Sequence, residues 1–178
     1  GDGEDFSESK AVNFMTFADG EVHTFQINLA QQSSWIGTIV QIRIDPTTGG
    51  TGDFGIDSLR FTTSSKPEGK LTQEWHWTTA DDTLGWTINE QIDSSHVENG
   101  RYVLHLANNN DPNLLSPAIR VDASTYQYLE ITYKNETGNS AAKLYWARDD
   151  DGFAESRAMN IPTIADGKWH TLRVDLSA

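Results

Sequence analysis

One segment of this chain occurs twice. Residues 6–31 align without gaps on residues 153–178, at a shift of 147 positions, as from Lys10 to Arg157. Roughly half of the aligned residues are identical, a similarity that chance would rarely produce. The repeating unit is therefore about 147 residues long, and this chain of 178 residues holds fewer than two units.

The repeat also divides the chain. We expect residues 1–63 to be the C-terminal part of one unit, residues 64–72 (SSKPEGKLT) to be a linker, and residues 73–178 to be the N-terminal part of the next unit. Each part lacks strands that the other holds, and an incomplete sheet exposes unpaired edges and an apolar face. The parts therefore combine either as a circularly permuted sandwich within one chain or by strand exchange between chains. Exchange between chains is slightly favoured, because it places both copies of the repeat.

Short runs of alternating apolar and polar residues occur along the whole chain. This period of two is typical of half-buried β-strands, and the segments between the runs are rich in residues that favour turns. No run of convincing length has the 3.6-residue period of a helix. The pattern therefore predicts an all-β fold, an antiparallel β-sandwich of the jelly-roll type. The clearest runs are residues 23–29, 37–44, 55–61, 101–107, 128–134, 143–148, 156–161 and 169–176.

The composition excludes several classes of partner. With 13 Lys and Arg against 26 Asp and Glu, the formal net charge is -13, which disfavours binding to nucleic acid and to anionic membrane surfaces. No apolar run approaches the 18 residues that mark a membrane span, and there is no cysteine for a disulfide or a thiolate. The chain begins at Gly1 rather than Met, so we expect it to be part of a longer or processed product.

Three segments carry recognisable motifs: residues 74–86 (EWHWTTADDTLGW), residues 143–157 (KLYWARDDDGFAESR) and residues 35–61 (WIGTIVQIRIDPTTGGTGDFGIDSLRF). Together they resemble a carbohydrate-binding jelly-roll module that recurs in large secreted bacterial polysaccharide-degrading enzymes and surface proteins. The resemblance covers nearly the whole chain, in permuted order, and the last segment is its most specific part. It implies a β-sandwich, a location outside the cell or on its surface, and either glycan binding or a structural role beside a catalytic domain.

Glycan binding requires flat aromatic side chains at a surface, because pyranose C–H groups stack on rings while polar groups pair with the hydroxyls. Alternation places Tyr145 and Trp169 on the outward side of their strands, and we expect those strands to lie near each other. The predicted carbohydrate-binding residues are Tyr145, Trp169, Trp146 and Arg148. Two alternatives stay open, namely that Trp169 caps the sandwich edge and that Trp146 belongs to the core.

The resemblance also implies a metal site. Modules of this kind often carry a structural Ca²⁺ that joins the first strand to the last, and the matching positions here are Glu74 and Asp57. An ion that joins two terminal strands stabilises the folded state, because it binds that state alone. The acidic loop 148–151 (RDDD) is a further candidate for sugar or calcium contacts, or else a solvated turn.

These features favour a non-catalytic extracellular carbohydrate-binding module that tethers its parent protein to polysaccharide. The alternative is a structural or adhesive repeat of a cell-surface array or filament, which assembles with neighbouring copies of the same repeat by strand exchange. No G-x-S-x-G, H-E-x-x-H or P-loop pattern is present, and we expect no enzyme activity.

Overall fold

The structure, a computed structural model, describes residues 24–28, 34–63, 69, 71–107 and 111–176, and for residues 24–28 it gives the backbone alone. Within these residues thirteen strands form two sheets, named here sheet I and sheet II. Sheet I contains β1 (Thr24–Asn28), β3 (Thr51–Thr62), β4 (Leu71–His76), β6 (Ser94–Glu98), β7 (Arg101–Ala107), β10 (Tyr128–Asn135) and β13 (Trp169–Asp175). Sheet II contains β2 (Thr38–Asp45), β5 (Thr87–Ile88), β8 (Leu114–Leu115), β9 (Val121–Asp122), β11 (Ala141–Arg148) and β12 (Ala158–Pro162), the last preceded by a short 3-10 helix, Glu155–Arg157.

The strand pairs are antiparallel, with one exception. Sheet I has the order β1-β13-β10-β3-β7-β6, with β4 also paired to β3, and sheet II has the order β12-β11-β2-β8-β5, with β9 also paired to β2. Among the described pairs only β1 and β13 run parallel. The prediction of an all-β antiparallel sandwich is confirmed, and the jelly-roll connectivity stays a prediction.

The two sheets pack face to face through the apolar side of each strand. On β13 the buried Leu172 and Val174 alternate with more exposed polar residues, and on β11 Leu144 and Trp146 are fully buried. This period of two sends alternate side chains into one shared core, because successive side chains of a strand point to opposite faces. Four tryptophans also lie in this core, with exposures of 2% for Trp35, 3% for Trp75, 0% for Trp77 and 2% for Trp86.

The central strands of both sheets come from the first 62 residues of the chain. β3 lies between β10 on one side and β7 and β4 on the other, while β2 lies between β11 on one side and β8 and β9 on the other. Strands from the early part of this chain therefore pair with strands from its later part in both sheets. All of β2 to β13 falls within residues 38–175, which is less than one repeat period. The unit boundaries at 1–63, 64–72 and 73–178, and exchange between chains, stay predictions.

The parallel pair joins the two copies of the repeat. The paired positions run from Thr24 beside Thr171 to Asn28 beside Asp175, so every residue of β1 lies next to its own equivalent 147 positions later. The remainder of the first copy, residues 6–23 and 29–31, lies outside the described residues, as does most of the predicted linker.

Candidate functional site

Tyr145 lies on the outer face of sheet II, where charged side chains cover it. Its hydroxyl donates to Glu155 Oε1 at 2.6 Å, and the Arg43 guanidinium and the Lys143 ammonium lie 4.8 and 5.0 Å from the ring centre. The side chain alternates with the core residues of β11, as predicted, yet the residue is only 8% exposed. The two cations therefore occupy the space over the ring in which a sugar would stack, and the hydroxyl is already bonded to Glu155.

The charged groups around this ring pair with one another. Arg43 donates two hydrogen bonds to Asp45, at 2.6 and 2.9 Å, and one to Asp111 at 2.8 Å. Burial raises the pKa of Asp45, and the hydrogen bond from Arg43 opposes that rise. Hydrogen bonds from Lys143 and from the tyrosine hydroxyl lower the pKa of Glu155. The network is satisfied internally, which is typical of a structural cluster.

Trp146 and Arg148, at the end of β11, occupy different environments. Trp146 has no exposed surface, packs edge-on against Trp35 at 5.3 Å between ring centres, and donates its indole N–H to the Ser34 carbonyl at 3.1 Å. It is a core residue, and a sugar does not reach it. Arg148 donates two hydrogen bonds of 2.9 and 3.2 Å to Asp150. Its guanidinium, which was predicted to contact a sugar, is therefore paired with a carboxylate of the acidic loop.

Trp169 lies on the outer face of sheet I and is partly exposed. The Arg101 guanidinium of β7 lies 4.6 Å from the ring centre. A Cβ atom added at Gly55 of β3 would lie 3.3 Å from Cη2 of the indole, so the ring reaches across β10 as far as β3. Trp169 is thus both a packing residue of this face and the most accessible aromatic side chain of the predicted carbohydrate-binding set.

Tyr145 and Trp169 lie on opposite outer faces of the sandwich. Tyr145 belongs to β11 of sheet II and Trp169 to β13 of sheet I, and both point away from the shared core. The expectation that their strands lie near each other is wrong, because alternation assigns a residue to one face of its strand and does not assign the strand to a sheet. The structure therefore does not bring the predicted residues together as one binding surface.

Asp57 and Glu74 lie on neighbouring strands of sheet I but not side by side. Glu74 pairs with Arg60, three residues beyond Asp57, which is about 10 Å along the strand. The Glu74 carboxylate lies 3.0 Å from His76 Nε2 and 3.9 Å from Arg60 Nη1. Calcium–oxygen distances are about 2.3–2.6 Å, so sharing one ion would require both side chains to move. In the described part of the chain no group of three or more His, Asp or Glu is placed to hold a metal, and the calcium site stays a prediction.

Sequence reasoning missed a row of alternating charge across the outer face of sheet I. Cross-strand pairing aligns Glu74, Arg60, Glu130 and Arg173, which are named here the charge row, and the register then continues to Gln26 of β1. Arg60 contacts Glu130 at 2.5 Å, and Arg173 forms an ion pair with the same carboxylate. Alternation along each strand predicts that each member of the row points outward. Their alignment depends on the register between strands, which cannot be predicted from the sequence.

Comparison with known proteins adds no assignment. No family model, curated protein or solved structure matches this chain. The resemblance to carbohydrate-binding modules therefore stays a prediction. Among the described residues no helix has the length and apolar character needed to cross a membrane.

Proposed function

We propose that this chain is a non-catalytic structural repeat of an extracellular or cell-surface array, in which a strand of one repeat copy pairs with the terminal strand of the next. The observation that supports this role is the pairing of β1 with β13, residue by residue with its repeat equivalent. The other twelve described strands already form two sheets within one repeat period. A further strand that joins such a sandwich supports a role in connecting one copy of the repeat with the next.

Strand addition suits a load-bearing or adhesive array. Backbone hydrogen bonds give the affinity, and the side-chain pattern of the strand gives the specificity. An exposed sheet edge invites pairing of this kind unless another segment covers it, and here β1 covers the edge of β13. The partners in this role are neighbouring copies of the same repeat.

Glycan binding is the second candidate, and the position of Trp169 favours it. Its ring is partly exposed on an outer sheet face, beside the Arg101 guanidinium, and an aromatic ring with a polar neighbour is the usual unit of sugar recognition. Every other described tryptophan is buried. A single aromatic contact supports weak polysaccharide binding at best, so this role ranks second.

Two measurements on the purified chain separate the candidates. For a structural repeat we expect light scattering to show association that grows with protein concentration, and we expect a glycan array to retain no sugar selectively. Deleting residues 1–31 should leave a folded, cooperatively unfolding monomer, because the deletion removes the strand that connects copies. Selective glycan retention that is lost in Trp169→Ala, together with a monomer at every concentration, would support the binding module and reject the structural role.

A further inference from the structure

We propose that the β13 edge facing away from β10 is a binding site for β1 of a second copy of this chain, recognised in parallel register. The inference rests on the proposed function and deepens it, because it names the acceptor edge, the donor strand and the residues that make the pair selective. In the structure the chain's own β1 occupies this edge, with five consecutive residues in register. A strand from a second copy therefore competes with a strand in cis.

The in-register parallel pairing determines which backbone edges meet. In a parallel pair, one residue of each paired position directs its N–H and C=O toward the partner strand. The residue paired with it directs its own N–H and C=O away from that strand. Because the matched residues are repeat equivalents, β1 presents to β13 the edge that β13 itself presents to β10. A terminal strand of this repeat can thus complete its own sheet or join the next copy, and it cannot do both at once.

The charge pattern favours β1 over a second β13 strand as the occupant. Register places Arg173 beside Gln26 and Asp175 beside Asn28, so the earlier copy has a neutral amide at both positions where the later copy is charged. Pairing β13 with another β13 would instead place arginine beside arginine and aspartate beside aspartate. Like charges at directly paired positions destabilise a sheet.

Gln26 also stands at the end of the charge row. The row alternates in sign from Glu74 to Arg173, so the next position tolerates a neutral or a negative residue and disfavours a positive one. A slip of one residue would bring other residues beside Arg173 and reverse the faces of the strand. The effect of a positive or a negative residue at position 26 on this pairing is therefore a test of the register.

The first test uses the full chain with a vacated edge. The double substitution Phe25→Pro and Gln26→Pro removes backbone N–H donors of both parities from β1, so it releases the strand whichever donor faces β13. A fluorescent peptide of residues 20–31 should then bind saturably, by anisotropy, and should bind the unsubstituted chain at least about ten-fold more weakly, because the tethered strand competes at a high effective concentration.

The peptide sequence tests the charge pattern. Relative to the unsubstituted peptide, a Gln26→Glu peptide should bind about two- to five-fold more tightly and a Gln26→Arg peptide more weakly by a similar factor. A peptide carrying the two proline substitutions should not bind. Equal binding of the Glu and Arg peptides, or no binding by any peptide, would overturn the proposal.

A second measurement decides the matter if the proline variant does not fold. In the full chain, amide hydrogen exchange of β13 should be slower in Gln26→Glu than in Gln26→Arg. The same two substitutions at exposed Ser94 of β6, at the far edge of sheet I, control for the change in net charge and should not alter β13. Equal exchange in the position-26 variants would reject the assignment. If the chain associates but the Gln26→Glu and Gln26→Arg variants do not differ, the proposed site is rejected and the structural role is kept. If the Gln26→Glu peptide binds more tightly than the Gln26→Arg peptide but the chain stays monomeric, the site is kept and the structural role is rejected.

Discussion

The Tyr133 hydroxyl lies inside the sandwich, and its ionisation would destabilise the fold. The residue is 2% exposed, its ring stacks on Phe54 at 5.7 Å, and its oxygen accepts a hydrogen bond from the Ile164 N–H at 2.9 Å. Burial raises its pKa to about 12 from an ordinary value of 10.0. The fold therefore holds this phenol neutral where an exposed tyrosine has begun to ionise.

We expect this residue to contribute to alkaline unfolding. Because the folded-state pKa is the higher one, its contribution is complete below pH 10 and is lost as the pH rises toward 12, by about 2–3 kcal/mol in all. Tyr133→Phe keeps the ring and removes the ionising group. The free energy of unfolding, measured by urea denaturation from pH 9 to pH 12, should fall less steeply in this variant. Parallel curves for both proteins would show that other tyrosines control the transition.

At the level of single residues, alternation predicted the core well and the surface poorly. Leu144, Leu172 and Val174 follow the period of two of their strands into the core. Trp146, which alternation left open between the core and the binding surface, is buried too. It could not show that Tyr145 lies beneath paired charges, because Arg43 comes from the neighbouring strand β2 and Glu155 from the short helix before β12. Burial of an outward residue depends on its cross-strand neighbours, and these follow from register.

At the level of elements, the bounds of some strands were predictable and those of others were not. The longest strand, β3, begins four residues before its predicted run of 55–61. β7 has the predicted bounds, and β2, β10 and β13 match their predicted runs to within one residue at each end. β5, β8 and β9 have two residues each, which is too short for a period of two to be recognised. The exchange of partners along β3, from β7 to β4, is likewise a property of the sheet rather than of a local segment.

One contact across sheet I depends on the absence of a side chain. Gly55 lies beneath the edge of the Trp169 indole, and a Cβ atom there would approach Cη2 to 3.3 Å. We expect Gly55→Val to displace the indole and to lower the free energy of unfolding by about 1–2 kcal/mol, since forcing atoms into a filled space costs this much. The measurement is urea denaturation monitored by tryptophan fluorescence.

Two comparisons isolate this contact. Gly152→Val is the control, because nothing lies within 4 Å of a Cβ atom at Gly152, and its effect should be small. In the double variant with Trp169→Ala the cost of Gly55→Val should largely disappear, because the two substitutions act on one contact. Additive effects would mean that Gly55 is required for a reason other than the indole.

At the level of the whole molecule, charge opposes association of copies. The formal net charge is -13, so two chains repel each other before any strand is exchanged. Salt shortens the range of that repulsion, from about 30 Å at 0.01 M to about 8 Å at 0.15 M. Association through β1 should therefore accelerate with NaCl, as followed by light scattering, and the chain without residues 1–31 should show no such response.

The same measurement tests the calcium prediction, because screening and specific binding respond differently to the ion. If calcium acts only by screening, CaCl₂ and MgCl₂ at equal ionic strength should accelerate association equally, and Glu74→Gln should change neither rate beyond the effect of one fewer negative charge. The geometry favours this outcome, since Glu74 contacts His76 and Arg60 and lies about 10 Å along the strand from Asp57. The contrary outcome is an effect specific to calcium, either faster association or a higher melting temperature, that Glu74→Gln and Asp57→Asn each abolish. It would show that the two carboxylates move together around an ion. The array would then be controlled by calcium rather than by ionic strength.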